Sequence, residues 1–292
     1  MDTRAVCNAK MSIGLRSWHL VCKSCGYEGS TLNDHILDQA PAGDQDEVAR
    51  EDALETLRRS NFKRLMAAIV ERISHAPSLQ RPLRLLDVGC AHGWFLEEAI
   101  GKYDASGIEP NHDVAKATKA RGLHVREGCF PHALDTDEKY DVIVFNDVLE
   151  HIPDINATLQ ACWHHLVPGG LVVINAPNRS GALYRISKKL LRFGRSGAFD
   201  RMWQLGFPSP HVHYLDTSTI LTLAERHSFS LLASERLPAV SISGLYSRVR
   251  YSKEVSPLKA SLLTLAVAAA IPILTLLPPD IKVWFLSREQ EP

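Results

Sequence analysis

Three observations predict an α/β fold with a doubly wound, mostly parallel sheet. Short apolar or β-branched runs alternate with segments able to form helices, a tight small-residue turn joins the first run to its helix, and an acid closes each of the first two runs. The runs are 83–88, 104–109, 123–126, 140–145 and 171–175, and 228–235 and 281–287 are available to complete the sheet. Ahead of them, Leu54, Leu57, Leu65, Ile69 and Ile73 recur at helical spacing between Glu47 and Ser74, and "HAPSLQRP" supplies the stop.

Composition sets the outer limits. With 292 residues and 45% hydrophobic content the chain can bury a substantial core. Lys plus Arg (33) equals Asp plus Glu (33), so the basic excess expected of a nucleic-acid binder is missing and no such partner is expected. Residues 1–11 are polar and charged, unlike an apolar secretory leader, so the six cysteines are expected to be thiols or metal ligands in a reducing cytoplasm. The chain divides into a cysteine-bearing segment (1–31), a linker and helix (32–80) and a main domain (81–292) with insertions at 178–216 and 237–280.

The turn in "LLDVGCAHGWFLEEA" has the context of a cofactor loop. A dinucleotide loop needs G-x-G-x-x-G, and here those positions hold Gly89, Ala91 and Trp94. Tryptophan cannot give the close helix–strand approach of the last glycine. Asp87 would also face a pyrophosphate, and like charges at ~4 Å cost about 4 kcal/mol at a surface-like dielectric. A cationic cofactor without phosphate, S-adenosylmethionine (SAM), fits better, and Glu109 at the second strand tip can accept from ribose hydroxyls.

"LLDVGCAHGWF", "GIEP", "YDVIVFNDVLEHIPD" and "LVPGGLVVINAPN", in this order and spacing, resemble the successive motifs of class I SAM-dependent methyltransferases. The resemblance implies a Rossmann-like seven-stranded sheet in the order 3-2-1-4-5-7-6 with the last strand antiparallel. It also implies that the loop of Asp87, Gly89, Cys90, Ala91 and Gly93 wraps the methionine part and that Glu109 holds the ribose. By the same resemblance Gly128, Cys129 and Phe130 flank adenine, and Asn146 and Asp147 lie against the methionine moiety. Ala91 departs from the glycine common there, so its φ is expected to be negative.

Methyl transfer from a sulfonium needs alignment, water exclusion and, for a hydroxyl acceptor, a base. His151, His211 and His213 flank the expected acceptor mouth, where each serves either in proton transfer or in fixing the local backbone. The first insertion is basic, with Arg179, Arg185, Lys188, Lys189, Arg192, Arg195 and Arg201 faced only by Asp200, and 182–193 reads as a basic amphipathic helix. The second contains eighteen uncharged residues, 260–277, about 27 Å as a helix and interrupted by Pro272. That stretch is either a buried core helix or an in-plane membrane contact or greasy acceptor channel, since a final strand at 281–287 must return to the sheet. In the cysteine segment, Cys7, Cys22 and Cys25 supply three ligands of a zinc-knuckle-like site, with Lys10 where a fourth cysteine would fall and His19 or His35 as the remaining candidates. The alternative is a degenerate knuckle with free thiols.

The expected function is therefore SAM-dependent methyl transfer to oxygen of a small molecule, glycan or lipid-linked precursor, in the cytoplasm or at the inner membrane face through 182–193 and 260–277. The alternatives are an NAD-dependent oxidoreductase and a catalytically silent SAM-binding interaction module.

Overall fold

The computed structural model describes residues 6–33, 45–73, 81–240, 242, 245–250 and 256–289, so His35 and most of the "HAPSLQRP" stop lie outside the described residues. A long helix α1 (Gln45–Ile73) precedes the main sheet, following three short strands, β1 (Ser12–Ile13), β2 (His19–Val21) and β3 (Glu28–Ser30). The alternation then runs β4 (Arg84–Val88), α2 (Trp94–Ala99), β5 (Asp104–Glu109), α3 (His112–Ala120), β6 (Val125–Glu127), β7 (Tyr140–Asn146), α4 (Ile155–His165) and β8 (Leu166–Pro177). After it come α5 (Ala182–Arg192), α6 (Gly197–Met202), β9 (His213–Tyr214), α7 (Thr217–Arg226), β10 (Phe229–Leu237), α8 (Leu245–Arg250), α9 (Pro257–Leu276) and β11 (Ile281–Arg288).

Seven strands form one sheet in the order β6-β5-β4-β7-β8-β11-β10, with β11 antiparallel to both of its neighbours. Numbered along the chain, this is the expected 3-2-1-4-5-7-6 order. Side-chain alternation builds a core on each face. Leu86, Val88, Ile143, Phe145, Val172, Ile174 and Trp284 point to the side of α4 and α7, where they meet Leu159, Cys162, Ile220 and Leu223. Leu85, Val142, Val144, Leu171, Val173 and Phe285 point to the other side, against Leu65, Met66 and Ile69 of α1 and Phe95 of α2. Each such burial contributes about 1.5–3 kcal/mol. The sheet order reverses between β4 and β7, and a ligand crevice lies outside the carboxyl ends of strands at such a point.

The two insertions behave differently from ordinary loops. Leu237 pairs with Ile281, so the whole second excursion leaves and re-enters the sheet at one place. The first insertion contributes β9, which pairs with β3 and completes a small sheet β1-β2-β3-β9. The cysteine segment is thereby built into the same body as the insertion. Its anchor is Glu28, buried, which accepts from His19 Nε2 (3.0 Å), Tyr184 Oη (2.6 Å) and Lys188 Nζ (2.5 Å), with Arg179 at 3.7 Å. His19 Nδ1 accepts the Leu15 amide at 3.0 Å, so its proton sits on Nε2 and both ring nitrogens are engaged. That arrangement removes His19 as a fourth metal ligand.

Burial alone would raise the Glu28 pKa, but the His19 hydrogen bond and the Lys188 charge outweigh it and hold the carboxyl at about 2. With a folded-state value below the usual one, this contribution to stability is complete above about pH 4.5 and is lost as pH falls through about 2. Glu28→Gln leaves Lys188 unpaired, and should cost about 3 kcal/mol by removing one partner of a buried ion pair. Thermal unfolding should show a drop in midpoint of several degrees, and limited proteolysis should release the first thirty or so residues faster; an unchanged midpoint would refute the anchoring role.

Candidate active site

The loop after β4 is shaped by left-handed backbone at three positions, Gly89 (φ 68°), Ala91 (φ 43°) and Gly93 (φ 71°). The expectation that Ala91 has negative φ is therefore wrong. Its conformation is held from both sides: the Ala91 amide donates to Glu109 Oε2 at 2.9 Å, and the Ala91 carbonyl accepts from Thr118 Oγ1 at 2.9 Å. Two fixed hydrogen bonds outweigh the roughly 1 kcal/mol that an L-residue pays in this region. A side chain at Gly93 would be strained by the positive φ and would push Leu123 Cδ1 aside, which an added Cβ would meet at 2.5 Å. Cys90 is in the loop through its backbone only; its sulfur is buried against Gly107, whose added Cβ would meet it at 2.5 Å.

Glu109 ends β5 and accepts a second amide, from Asn111, through Oε1 at 2.8 Å. Gly128 donates its amide to the Glu109 carbonyl at 3.0 Å, which draws the turn after β6 toward the same strand tip. Phe130 on that turn is buried edge-to-face on Phe145 at 5.8 Å, whereas Cys129 is exposed. Asp87 is buried at the end of β4 and accepts from Asn146 Nδ2 at 3.2 Å. Burial raises its carboxyl to about 8, with the nearby Glu109 charge adding to the rise and the Asn146 hydrogen bond opposing it. Asn146 Oδ1 is itself buried with no donor among the described residues. Two carboxyl groups and a buried amide oxygen without a donor make the switch point rich in acceptors, which fits the sulfonium and ammonium of SAM. Asp87, Asn146 and Glu109 would hold it, with the loop backbone of Gly89 to Gly93 around its methionine part.

Beyond this site the chain continues through Asp147 (φ 55°) into a 3-10 turn, Leu149–His151. Asp147 and Glu150 are both raised by burial, with the Arg58 charge on α1 opposing the rise in each. His151 Nδ1 lies 3.1 Å from the Pro210 carbonyl oxygen and 3.0 Å from Ser209 Oγ. A carbonyl only accepts, so Nδ1 carries a proton, and in the neutral ring Nε2 is the basic nitrogen. The His211 ring meets His151 edge-on at 4.8 Å, and its Nε2 lies 2.9 Å from Gln204 Nε2. His213 is placed otherwise: Nδ1 is bonded to Tyr27 Oη and Nε2 to the Ile152 carbonyl at 2.7 Å. Burial lowers its pKa to about 4, so it is a neutral strut between the cysteine segment and the turn.

His211 also lines a cavity of about 250 Å³ with Asn178, Leu183, Tyr184, Gln204 and Tyr214. Ligand atoms of Glu150, His151 and His211 lie within 4.8 Å of one another, a spacing that could also hold a cation. Glu150 was not singled out from the sequence. Its only trace there is its place beside His151 in "LEHIPD", and burial of a charged residue leaves no mark in a sequence. Cys7, Cys22 and Cys25 gather with their sulfurs within 4.8 Å, and no fourth His, Cys, Asp or Glu joins them among the described residues.

Without ligand Asp87 is largely protonated below about pH 8, and a bound cation favours its carboxylate. SAM binding should therefore release a proton, and its Kd should fall by up to about tenfold per pH unit toward pH 8 and level off above it. Calorimetry in buffers of different ionisation enthalpy measures both, and Asp87→Asn should abolish the slope; a pH-independent Kd in the parent protein would contradict the assignment. Ala91→Gly should relieve about 1 kcal/mol of strain, while Ala91→Val should weaken SAM binding, because a β-branched residue tolerates positive φ least.

A family model described as a methyltransferase domain matches residues 57–234. Relatives include ubiquinone biosynthesis O-methyltransferases of Colwellia psychrerythraea (25% identical, covering 56% of this chain and 67% of that one). The enzyme of the same name from Mesorhizobium japonicum is 34% identical over 38% of this chain and 49% of its own. The chain thus spans from about half to two thirds of the length of these relatives. Among solved structures, Haemonchus contortus phosphoethanolamine N-methyltransferase 2 in complex with SAM has a TM-score of 0.55 at 14% identity, covering 89% of this chain and 61% of that one. The cyclopropane synthase MmaA2 of Mycobacterium tuberculosis has a TM-score of 0.52 at 17% identity, covering 76% and 83%. These structures share the fold, and the family match covers more than half of the chain. The chain belongs to the methyltransferase-domain family and has the fold of class I SAM-dependent methyltransferases.

Proposed function

We propose that the chain transfers a methyl group to a hydroxyl oxygen of a small amphiphilic acceptor, such as a lipid-linked sugar or a prenylated ring. The observation that carries this reading is the His151–His211 pair: one imidazole with its tautomer set by the Pro210 carbonyl, the other lining the cavity. Bound SAM supplies an electrophilic methyl group. His151 Nε2, bearing the lone pair, would take the acceptor hydroxyl proton, and His211 would orient the acceptor from the cavity wall. Asn178 and Tyr214 add polar atoms to that wall, and Leu183 and Phe207 add apolar area, which suits an acceptor with both characters. The similarity to O-methyltransferases supports oxygen as the accepting atom.

The enzyme would act in the cytoplasm, at the inner face of the membrane when its acceptor is lipid-linked. It would also hold structural zinc on Cys7, Cys22 and Cys25, which would brace the segment that supplies Tyr27 to His213. Metal analysis yielding less than about a tenth of an equivalent would end the zinc assignment.

His151→Ala should lower kcat by about 10²- to 10⁴-fold with the SAM Kd nearly unchanged, as for loss of a general base. His211→Ala should act chiefly on the acceptor KM. Incubating cell extract with labelled SAM and fractionating the products tests the acceptor class; label confined to protein or nucleic acid, or turnover untouched by both substitutions, would overturn the proposal.

A further inference from the structure

Helix α9 is apolar on all sides and twenty residues long, yet it lies outside the core. Leu258, Leu265 and Leu276 are 72%, 67% and 86% exposed, which overturns the alternative of a buried core helix. An all-round apolar helix belongs either in a core or in lipid, and exposure of this much apolar surface marks an interaction site. Helix α5 presents a matching face. Tyr184 and Ser187 are buried toward the domain, while Leu183, Ile186 and Phe193 form an outward apolar stripe. Arg185, Lys189 and Arg192, all exposed and in no ion pair among the described residues, run along the other outward side of the helix.

The two helices are joined at their ends. The Ala182 amide donates to the Pro278 carbonyl at 3.1 Å, and the Leu183 amide to Asp280 Oδ1 at 2.7 Å, so α5 starts where α9 finishes. Spanning a bilayer is excluded by the fold: Leu237 pairs with Ile281 across adjacent strands, and α8 packs against both α1 and α9, keeping the start of α9 beside the domain. A long apolar helix tethered at both ends can lie in the interface plane. Charge complementarity selects the kind of surface. The chain carries no net charge, yet seven cations occupy 179–201 against the single acid Asp200.

We infer that α9 and the outward face of α5 form an in-plane docking surface for an anionic bilayer. The apolar side chains enter the acyl boundary, and Arg185, Lys189 and Arg192 meet lipid phosphates. Leu183 belongs both to this face and to the lining of the His211 cavity, so the cavity opens where lipid would lie. Delivery of an acceptor from the bilayer rests on the proposed amphiphilic acceptor; the docking does not.

Sedimentation of the full chain with phosphatidylglycerol–phosphatidylcholine vesicles, and with phosphatidylcholine vesicles alone, tests this without any acceptor. Binding is expected to the anionic vesicles only, and to weaken in high salt, where the screening length falls from about 10 Å at 0.1 M to about 3 Å at 1 M. Leu262→Asp with Leu265→Asp, and separately Lys189→Glu with Arg192→Glu, should each lower binding at least about tenfold, with the SAM Kd from calorimetry unchanged as proof of folding. The inference is overturned by absence of binding, by equal binding to both vesicle types, by binding that neither pair of substitutions reduces, or by a dimer in solution that the aspartates dissociate while vesicle binding is absent.

Discussion

The carboxylate of Glu109 accepts the amide hydrogens of Ala91 and Asn111, so one side chain ties the loop after β4 to the start of α3. The consequences run in two directions. Toward the backbone, these bonds stabilise Ala91 at positive φ and keep the loop in an arc that glycines alone would leave freer. Toward the crevice, they hold a second carboxylate near buried Asp87. Burial of Asp87 disfavours its charge and the neighbouring Glu109 adds to the cost, and together they raise Asp87 to about 8. A cation relieves that cost, so the site suits a cationic cofactor better than an anionic dinucleotide.

A comparable economy governs the acceptor side. The turn carrying His151 is braced by backbone and by Ser209, and His213 is locked between Tyr27 and the Ile152 carbonyl. The cysteine segment therefore meets the histidine turn through Tyr27, and α5 through Glu28, whose partners Tyr184 and Lys188 are on that helix. A small sheet that pairs the cysteine segment with the first insertion lies between the cysteine cluster, the basic helix and the histidine turn.

The main sheet was legible because its signal is local. Each strand is a short apolar run bounded by turn residues, and all seven appear within a few residues of their expected limits, with β8 extended at both ends and β6 displaced toward Glu127. The candidate cofactor residues could be singled out for a related reason, since Asp87, Glu109 and Asn146 stand at strand ends where the chain must turn. Glu28 and Glu150 were not. A carboxylate reads as a surface residue until the partners that bury it are known, and those partners lie far away in sequence or on another element. Cysteine spacing likewise identified three thiols that could meet, while His19 proved to be committed to Glu28.

By itself the sequence determined the α/β class, the strand limits and the acids and small residues of the cofactor loop, because hydrophobic period and turn chemistry act over a few residues. Only the tertiary structure decided the backbone sign at Ala91, the separate fates of His151, His211 and His213, and the exposure of α9. Each depends on which groups lie across space: an amide acceptor for Ala91, a carbonyl or phenol for each imidazole, and no covering layer among the described residues for the apolar helix. Eighteen uncharged residues read the same in a core as on a surface, and their neighbours in three dimensions make the difference.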